Sequence, residues 1–353
     1  MSSLKGIQGK KILITGHTGF KGSWLCRLLF KLGAEVYGYS LSPPTDPNLY
    51  ELLDSDSYVD SEIGDICDYD RLFGYYSDVS PDMVIHMAAQ PLVREGYKNP
   101  RLTYHTNVMG TVNIMECARL CNTRSVLNVT TDKVYYNDES GRYYKEGDVL
   151  DGFDPYSNSK SCSELVTHTY IRSFPDQMTA VSTARAGNVI GGGDFADDRI
   201  IPDCVRSAIK GQQIRLRNPN SIRPYQHVLE PLFTYTSIIC AQYYDKGYSG
   251  SYNIGPEKDD CVTTGALADM FCQYWGNGLK WYSDNDNGPH EANYLKLDNG
   301  LIKERFGIRP LWNISKSVEK VVEWTRGWVK GDDILSITDR QIEEYLKQRS
   351  IEV

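Results

Sequence analysis

The chain has 353 residues, 41% of them hydrophobic and 24% charged, enough for one large or two modest domains with a real core and ordinary for a globular protein. Its 38 Lys and Arg against 46 Asp and Glu leave a net charge of -8 with no basic block, which argues against a nucleic-acid surface. No run approaches the roughly 18–20 apolar residues of a membrane span, and the polar opening MSSLKGIQGKKILITG carries no signal core, so a cytoplasmic protein is expected.

In chain order, the first half alternates β-rich runs with helical periods. Residues 11–15 read as a strand, after which Trp24, Leu25, Leu28, Leu29 and Leu32 fall on one helical face. Further strands are expected at residues 35–39, 83–87, 126–130 and 180–184. A helical face of Cys162, Leu165, Val166, Thr169 and Tyr170 precedes the last of them. Strands alternating with helices predict an α/β fold: a Rossmann-like, doubly wound parallel sheet, with ligands beyond the C-terminal strand ends. After Arg185 the segments shorten and fill with Gly and Pro (GNVIGGGD, RNPNSIRP, NIGPEKDD, DNDNGPHE), as suits a smaller, mixed C-terminal substrate-binding lobe. The expected division is residues 8–186 and 187–353, with pieces near 225–230 and 251–256 returning to the main domain. Residues 225–229 read as a short strand, and the tail 313–345 has helical period. The nine cysteines are scattered without a CxxC pair, so reduced thiols are expected, with neither disulfide nor metal site.

Gly16, Gly19 and Gly22 form GHTGFKG between the first strand and its helix. Glycines there permit a tight turn and close approach of a pyrophosphate to a helix N-terminus, whose unpaired amides favour negative charge. A tight βα turn without a ligand is the plainer reading of the same residues. The GxxGxxG spacing resembles the extended short-chain dehydrogenase/reductase class, in the NAD-dependent epimerase/dehydratase family. That resemblance implies NAD, held by Gly16, His17, Gly19, Phe20, Lys21 and Gly22. His17 and Lys21 are placed to bear on the phosphates, although His17 is bulky enough to constrain the loop instead. The second strand ends in Tyr39-Ser40-Leu41, with no acid to grip the adenosine ribose and no Arg for a 2′-phosphate, which favours NAD over NADP. Asp65 and Ile66 in GDICD resemble the class's adenine-contacting pair; a surface turn is the alternative. Ala88 and Ala89 follow the fourth strand, where backbone passes the cofactor, and Asn107 matches a structural Asn of the class.

Tyr156 and Lys160 in PYSNSK lie one helical turn apart, on one face. Thr131 follows the strand at 126–130, so the topology brings Thr131, Tyr156 and Lys160 together beside a nicotinamide; a surface Tyr and Lys is the alternative. Removing hydride from a carbinol carbon requires taking the hydroxyl proton. A Tyr156 phenolate does so when the Lys160 cation lowers its pKa, while Thr131 fixes the reacting oxygen. Lys160 can also hold the nicotinamide ribose. Asp132 and Lys133 follow Thr131 directly. Here the chain resembles the nucleotide-sugar 4,6-dehydratases, and its Asp-Lys pair the CDP-glucose branch, as do GHTGFKGSWL, DPYSNSKSCSELV, RAGNVIGGGD and PHEANYLKLD. The resemblance runs from about residue 8 to 330 and implies oxidation at carbon 4, water elimination across carbons 5 and 6, and hydride return to carbon 6. Asp132 is then the acid at carbon 6. Lys133 is either the base at carbon 5, if neutral, or a charged stabiliser of the enolate.

For the substrate's diphosphate the resemblance points to Arg199 and Arg223, with Asn188 on phosphate and Arg217 as a further candidate; each equally suits a structural salt bridge. His290 and Glu291 resemble a branch-specific motif of unassigned role. A nucleotide-sugar 4-epimerase would use Tyr156 and Lys160 without Asp132 and Lys133; a non-catalytic dinucleotide sensor would need none of them. The class also implies a homodimer through a four-helix bundle, from helices near residues 104–120 and 156–173, whose apolar positions equally suit an internal core.

Overall fold

The computed structural model describes residues 4–178, 180–283 and 294–351. Its centre is a parallel sheet of β1 (Lys11–Thr15), β2 (Glu35–Ser40), β3 (Asp60–Ile63), β4 (Met83–His86), β5 (Ser125–Val129), β6 (Val181–Ala186) and β7 (Ser251–Ile254). The order is β7-β6-β5-β4-β1-β2-β3. The chain winds outward one way from β1 and the other way from β4, so the switch point, where ligands bind in such sheets, lies between them.

Alternation along each strand explains why both faces are covered. Ile12 and Ile14, Met83 and Ile85, and Leu127 and Val129 enter one core cluster. Leu13, Val84 and Val126 enter the opposite one. All are nearly inaccessible to solvent, and each such side chain contributes roughly 1.5–3 kcal/mol through burial. The first face is covered by α1 (Phe20–Lys31), α6 (Leu229–Tyr244) and α9 (Ile334–Gln348), and the second by α2 (Tyr69–Val79) and α3 (Gly110–Leu120). On α1, Trp24, Leu25, Leu28 and Leu29 are the buried stripe that the sequence period predicts. The helix that carries Tyr156 and Lys160 is α4 (Pro155–Ser173), packed beside α3.

A separate core holds the smaller lobe: α5 (Ile200–Ile209), α7 (Thr264–Trp275) and the strand Ile214–Leu216 pack with Val318, Val321 and Val322 of α8 (Ile314–Lys330). Trp324 of α8 belongs to the main core, so this helix ties the lobe to the sheet. The strand expected at residues 225–229 is shorter: Gln226–His227 pairs with Val189–Ile190 apart from the main sheet. The apolar run that follows is α6, buried along almost its whole length under the sheet. β3 (DSEI) lacks apolar alternation and sits at the sheet edge, which is why sequence pattern passes over it. The nine cysteines are free thiols. Among the described residues no helix is long and apolar enough to cross a membrane.

Candidate active site

A cleft of about 400 Å³ opens beyond the C-terminal ends of β1, β4, β5 and β6, between sheet and lobe. At the end of β1 the glycine loop turns into α1. Gly16 has φ +78 and an added Cβ there would lie 2.9 Å from the Ala88 nitrogen; at Gly22 it would lie 2.2 Å from the Gly16 oxygen. Both positions therefore exclude any side chain. Gly19 caps α1 without a side-chain bond, leaving the first amides of a twelve-residue helix open. A Cβ on Gly19 would meet no nearer atom than the Gly16 oxygen at 3.5 Å, so the space before the helix end is free.

His17 and Lys21 part company. The His17 ring is fully buried under the loop, its Nε2 2.7 Å from Ser61 Oγ, edge-on to Tyr50 and pressed against Gly38. Burial lowers its pKa to about 4, so it is neutral and constrains the loop rather than offering charge to a phosphate. Lys21 and Phe20 line the cleft. The Lys21 ammonium lies 5.6 Å from the Tyr235 ring centroid, and burial, with the Arg199 and Lys160 cations, lowers its pKa to about 7. At the next strand end Thr15 Oγ1 lies 2.7 Å from His86 Nδ1 and accepts from the Ala88 amide at 3.1 Å, which fixes the Ala88-Ala89 backbone. Asn107 brackets Gln90, accepting from its amide at 2.8 Å, and donates to Ser159 Oγ of α4 at 2.9 Å. Ile66 is buried with its carbonyl held by Asn113 at 2.9 Å, and Asp65 is exposed, capping the Cys67 amide at 2.9 Å.

The catalytic candidates converge from two elements. Asp154 caps α4, accepting from the amides of Tyr156 at 3.0 Å and Ser157 at 3.1 Å, and Pro155 opens the helix. That start places Tyr156 in the first turn, facing the cleft, and Lys160 behind it. Burial pushes the Tyr156 pKa up to about 12, with a Thr131 hydrogen bond and the Arg199 charge pulling it down. Lys160 is 3% exposed, donates to the Val129 carbonyl at 3.2 Å, and is lowered by burial to about 8. Beyond β5, Asp132 is 1% exposed. Its Oδ1 accepts from Thr131 Oγ1 at 3.0 Å and from Lys133 Nζ at 3.2 Å, while its Oδ2 is buried without a partner. Thr131, Asp132, Lys133 and Tyr156 all line the cleft.

Across the cleft the lobe supplies arginines. Arg199 pairs with Asp194 at 3.1 Å, Arg217 with Asp198 at 2.7 Å, and Arg223 is buried with Nη1 on the Ile222 carbonyl at 3.1 Å. Asn188 lines the same space with a buried, unpartnered Oδ1. Arg94 and Arg215, which sequence reasoning did not single out, line it too. Arg94 lies outside the glycine loop and the Thr131-Asp132-Lys133 and Tyr156–Lys160 motifs that draw notice. His290 and Glu291 fall outside the described residues.

Residues 12–255 match the model of the NAD dependent epimerase/dehydratase family. The chain is 43% identical over 348 residues to the CDP-glucose 4,6-dehydratase of Salmonella typhimurium, covering 96% of this chain and 97% of that one. To the dTDP-glucose 4,6-dehydratase of the same organism it is 24% identical, covering 89% and 92%. Among solved structures, DesIV of Streptomyces venezuelae, a dTDP-glucose 4,6-dehydratase with NAD and TYD bound, matches with a TM-score of 0.77 at 24% identity, over 92% of this chain and 99% of that one. The UDP-glucose 4-epimerase of Thermotoga maritima, with UDP-glucose, matches with a TM-score of 0.79 at 19% identity, over 90% and 99%.

Proposed function

Because the chain belongs to the NAD dependent epimerase/dehydratase family, we propose that it is an NAD-dependent hydro-lyase converting CDP-D-glucose to CDP-4-keto-6-deoxy-D-glucose. The observation that carries this reading is the Asp132–Lys133 pair, Asp132 buried and Lys133 reaching into the cleft, beside Thr131 and Tyr156. Oxidation alone has no use for a second acid and base; eliminating water needs both.

The residues present fit NAD. The open amides of α1 and the free space before Gly19 would take the pyrophosphate, Asp65 and Ile66 the adenine, and the Ala88-Ala89 backbone the middle of the cofactor. Tyr156 and Lys160 would hold the nicotinamide ribose. When bound, NAD would supply the hydride acceptor for carbon 4 and the hydride donor for carbon 6. Tyr156 takes the proton of the 4-hydroxyl, helped by the Lys160 ammonium, and Thr131 holds that oxygen. Lys133 Nζ lies 3.2 Å from Asp132 Oδ1, so acid and base stand side by side. Lys133 is the base that takes the carbon 5 proton, and Asp132 the acid that protonates the 6-hydroxyl as its bond to carbon breaks and water leaves. As hydride reaches carbon 6, Lys133 returns a proton to carbon 5, and the proton that Tyr156 took from the 4-hydroxyl restores Asp132 by way of solvent. Arg199, Arg217, Arg223 and Asn188 receive the diphosphate.

The protein works as a cytoplasmic homodimer. Leu102, Met109 and Leu165, beside or on α3 and α4, are 53%, 44% and 50% exposed, an apolar surface suited to a four-helix bundle. The test is to incubate the protein with NAD and CDP-, UDP- and dTDP-glucose and weigh the products. Loss of one water from CDP-glucose is expected; a product of unchanged mass would make it a 4-epimerase.

A further inference from the structure

Glu164 lies one turn beyond Lys160 on α4 and is completely buried. Arg185 of β6, 1% exposed, grips it with a fork: Nε to Oε1 and Nη2 to Oε2, both at 2.9 Å. Thr130 Oγ1 donates to Oε1 at 2.5 Å and Thr183 Oγ1 to Oε2 at 2.7 Å. Burial alone would push this carboxyl up; the arginine and the two hydroxyls outweigh it and hold it below its ordinary value. The other end of Arg185 donates to Tyr135 Oη at 2.8 Å and to the Glu146 carbonyl at 2.9 Å. Tyr135 donates in turn to Asn253 Oδ1 of β7 at 2.6 Å.

The positions of these partners matter more than their number. Thr130 immediately precedes Thr131, and Tyr135 follows Lys133 by two residues, so the network grips the Thr131-Asp132-Lys133 segment at both ends. Through Glu164 it grips the helix of Tyr156 and Lys160. One other bond joins α4 to this segment, Ser161 Oγ donating to the Val134 carbonyl at 2.8 Å, a single bond at one point; Ser159 and Ser163 are held by Asn107, Thr111 and Asn128, on the β5 and α3 side. A buried ion pair is poor evidence of stability, because desolvation offsets most of its attraction. Its fork geometry and its place between two reactive segments suggest another use.

We infer that the Glu164–Arg185 pair is a positioning device, setting the Tyr156–Lys160 helix and the Thr131–Asp132–Lys133 segment in mutual register. It touches neither substrate nor cofactor and acts through the residues it holds. Chemistry that needs a hydride donor carbon, an acid and a base aligned on one sugar is sensitive to such register.

The inference rests on the dehydratase reading, and the experiment separates the two. NAD-loaded Glu164→Gln is expected to lose roughly 100-fold in kcat for water loss from CDP-glucose, with KM changed less than about threefold, as for a misplacement near 1 Å. NAD affinity, from fluorescence titration, stays at the wild-type value. Arg185→Lys keeps the charge, loses the fork, and fails to restore kcat. Should the single variants not fold, Glu164→Gln/Arg185→Met removes both charges and is expected to fold yet remain slow. Wild-type kcat in any folded variant overturns the inference, as does a loss of NAD affinity matching the loss of kcat. If the wild type turns the sugar over without losing water, the dehydratase reading fails, and the same kcat comparison on that turnover decides the positioning role.

Discussion

On the sheet side of the cleft the reactive groups are buried and anchored: Asp132 and Lys160 are 1% and 3% exposed. On the lobe side two arginines stand partly in water, the Arg199 and Arg217 side chains 34% and 28% exposed and each paired to an acid, while Arg223 is buried. The difference is one of cost. An exposed ion pair contributes about 0–1 kcal/mol, so a diphosphate displaces Asp198, 41% exposed, from Arg217 with little penalty. The unpartnered Oδ2 of Asp132, by contrast, costs roughly 1–3 kcal/mol until a hydroxyl reaches it. One wall is prepared for chemistry, the other for exchange of anions.

The sharpest way to break this contrast is Asp132→Asn. It is expected to lower kcat for water loss by roughly 10²–10⁴-fold while leaving NAD binding intact; steady-state kinetics beside a cofactor titration would measure both. Arg217→Met, on the other wall, should raise KM about 10-fold to 100-fold and leave kcat nearly unchanged, the loss of a charge-assisted bond made before and during reaction alike. A result in which both variants change kcat equally would erase the distinction between the walls. Gly22→Ala puts a carbon 2.2 Å from the Gly16 oxygen and should cost about 1–3 kcal/mol in a denaturant melt, with NAD affinity falling in step.

The smallest expected effect concerns pH. Lys160 is lowered from 10.5 to about 8 by burial. Below about pH 8 it is charged in both folded and unfolded chains, and the folded state carries the full penalty of burying the charge. Between 8 and 10.5 the unfolded chain binds more protons, so this group's contribution to stability rises with pH. Lys160→Met should therefore gain most over the wild type below about pH 8, a gap in melting temperature that closes by about 10.5. Activity runs the other way, falling as the ammonium is lost above about pH 8.

Much of the fold was legible because it is written locally. The apolar alternation of β1, β4 and β5 and the stripe on α1 follow from two periods, and the glycine loop, the Tyr156–Lys160 spacing and Thr131-Asp132-Lys133 are contiguous motifs. What sequence could not show depends on distant partners. Nothing in HMAAQ or GHTGFKG says that His17 turns inward to Ser61 while Lys21 turns to the cleft. Nothing around Arg185 distinguishes a buried ion pair from a surface charge, since Glu164 reaches it only through the pairing of β5 with β6. The strand expected over 225–229 shortens to Gln226–His227 because Leu229 already opens α6, and a helix buried all round shows no period to mark where it begins.

The position of α6 and β7 in the chain has a consequence for synthesis. Leu232, Tyr235, Ile238 and Ile239 cover the sheet face that α1 begins to cover, and β7 closes the open edge of β6. Both arrive only after residue 228. Until they leave the ribosome, the nascent sheet presents bare Ile, Leu and Val on one side and unpaired backbone along β6, a template for joining another chain. Such late closure by sequence-distant contacts makes for slow folding, and it makes the emerging polypeptide, rather than the finished enzyme, the form most in need of a chaperone.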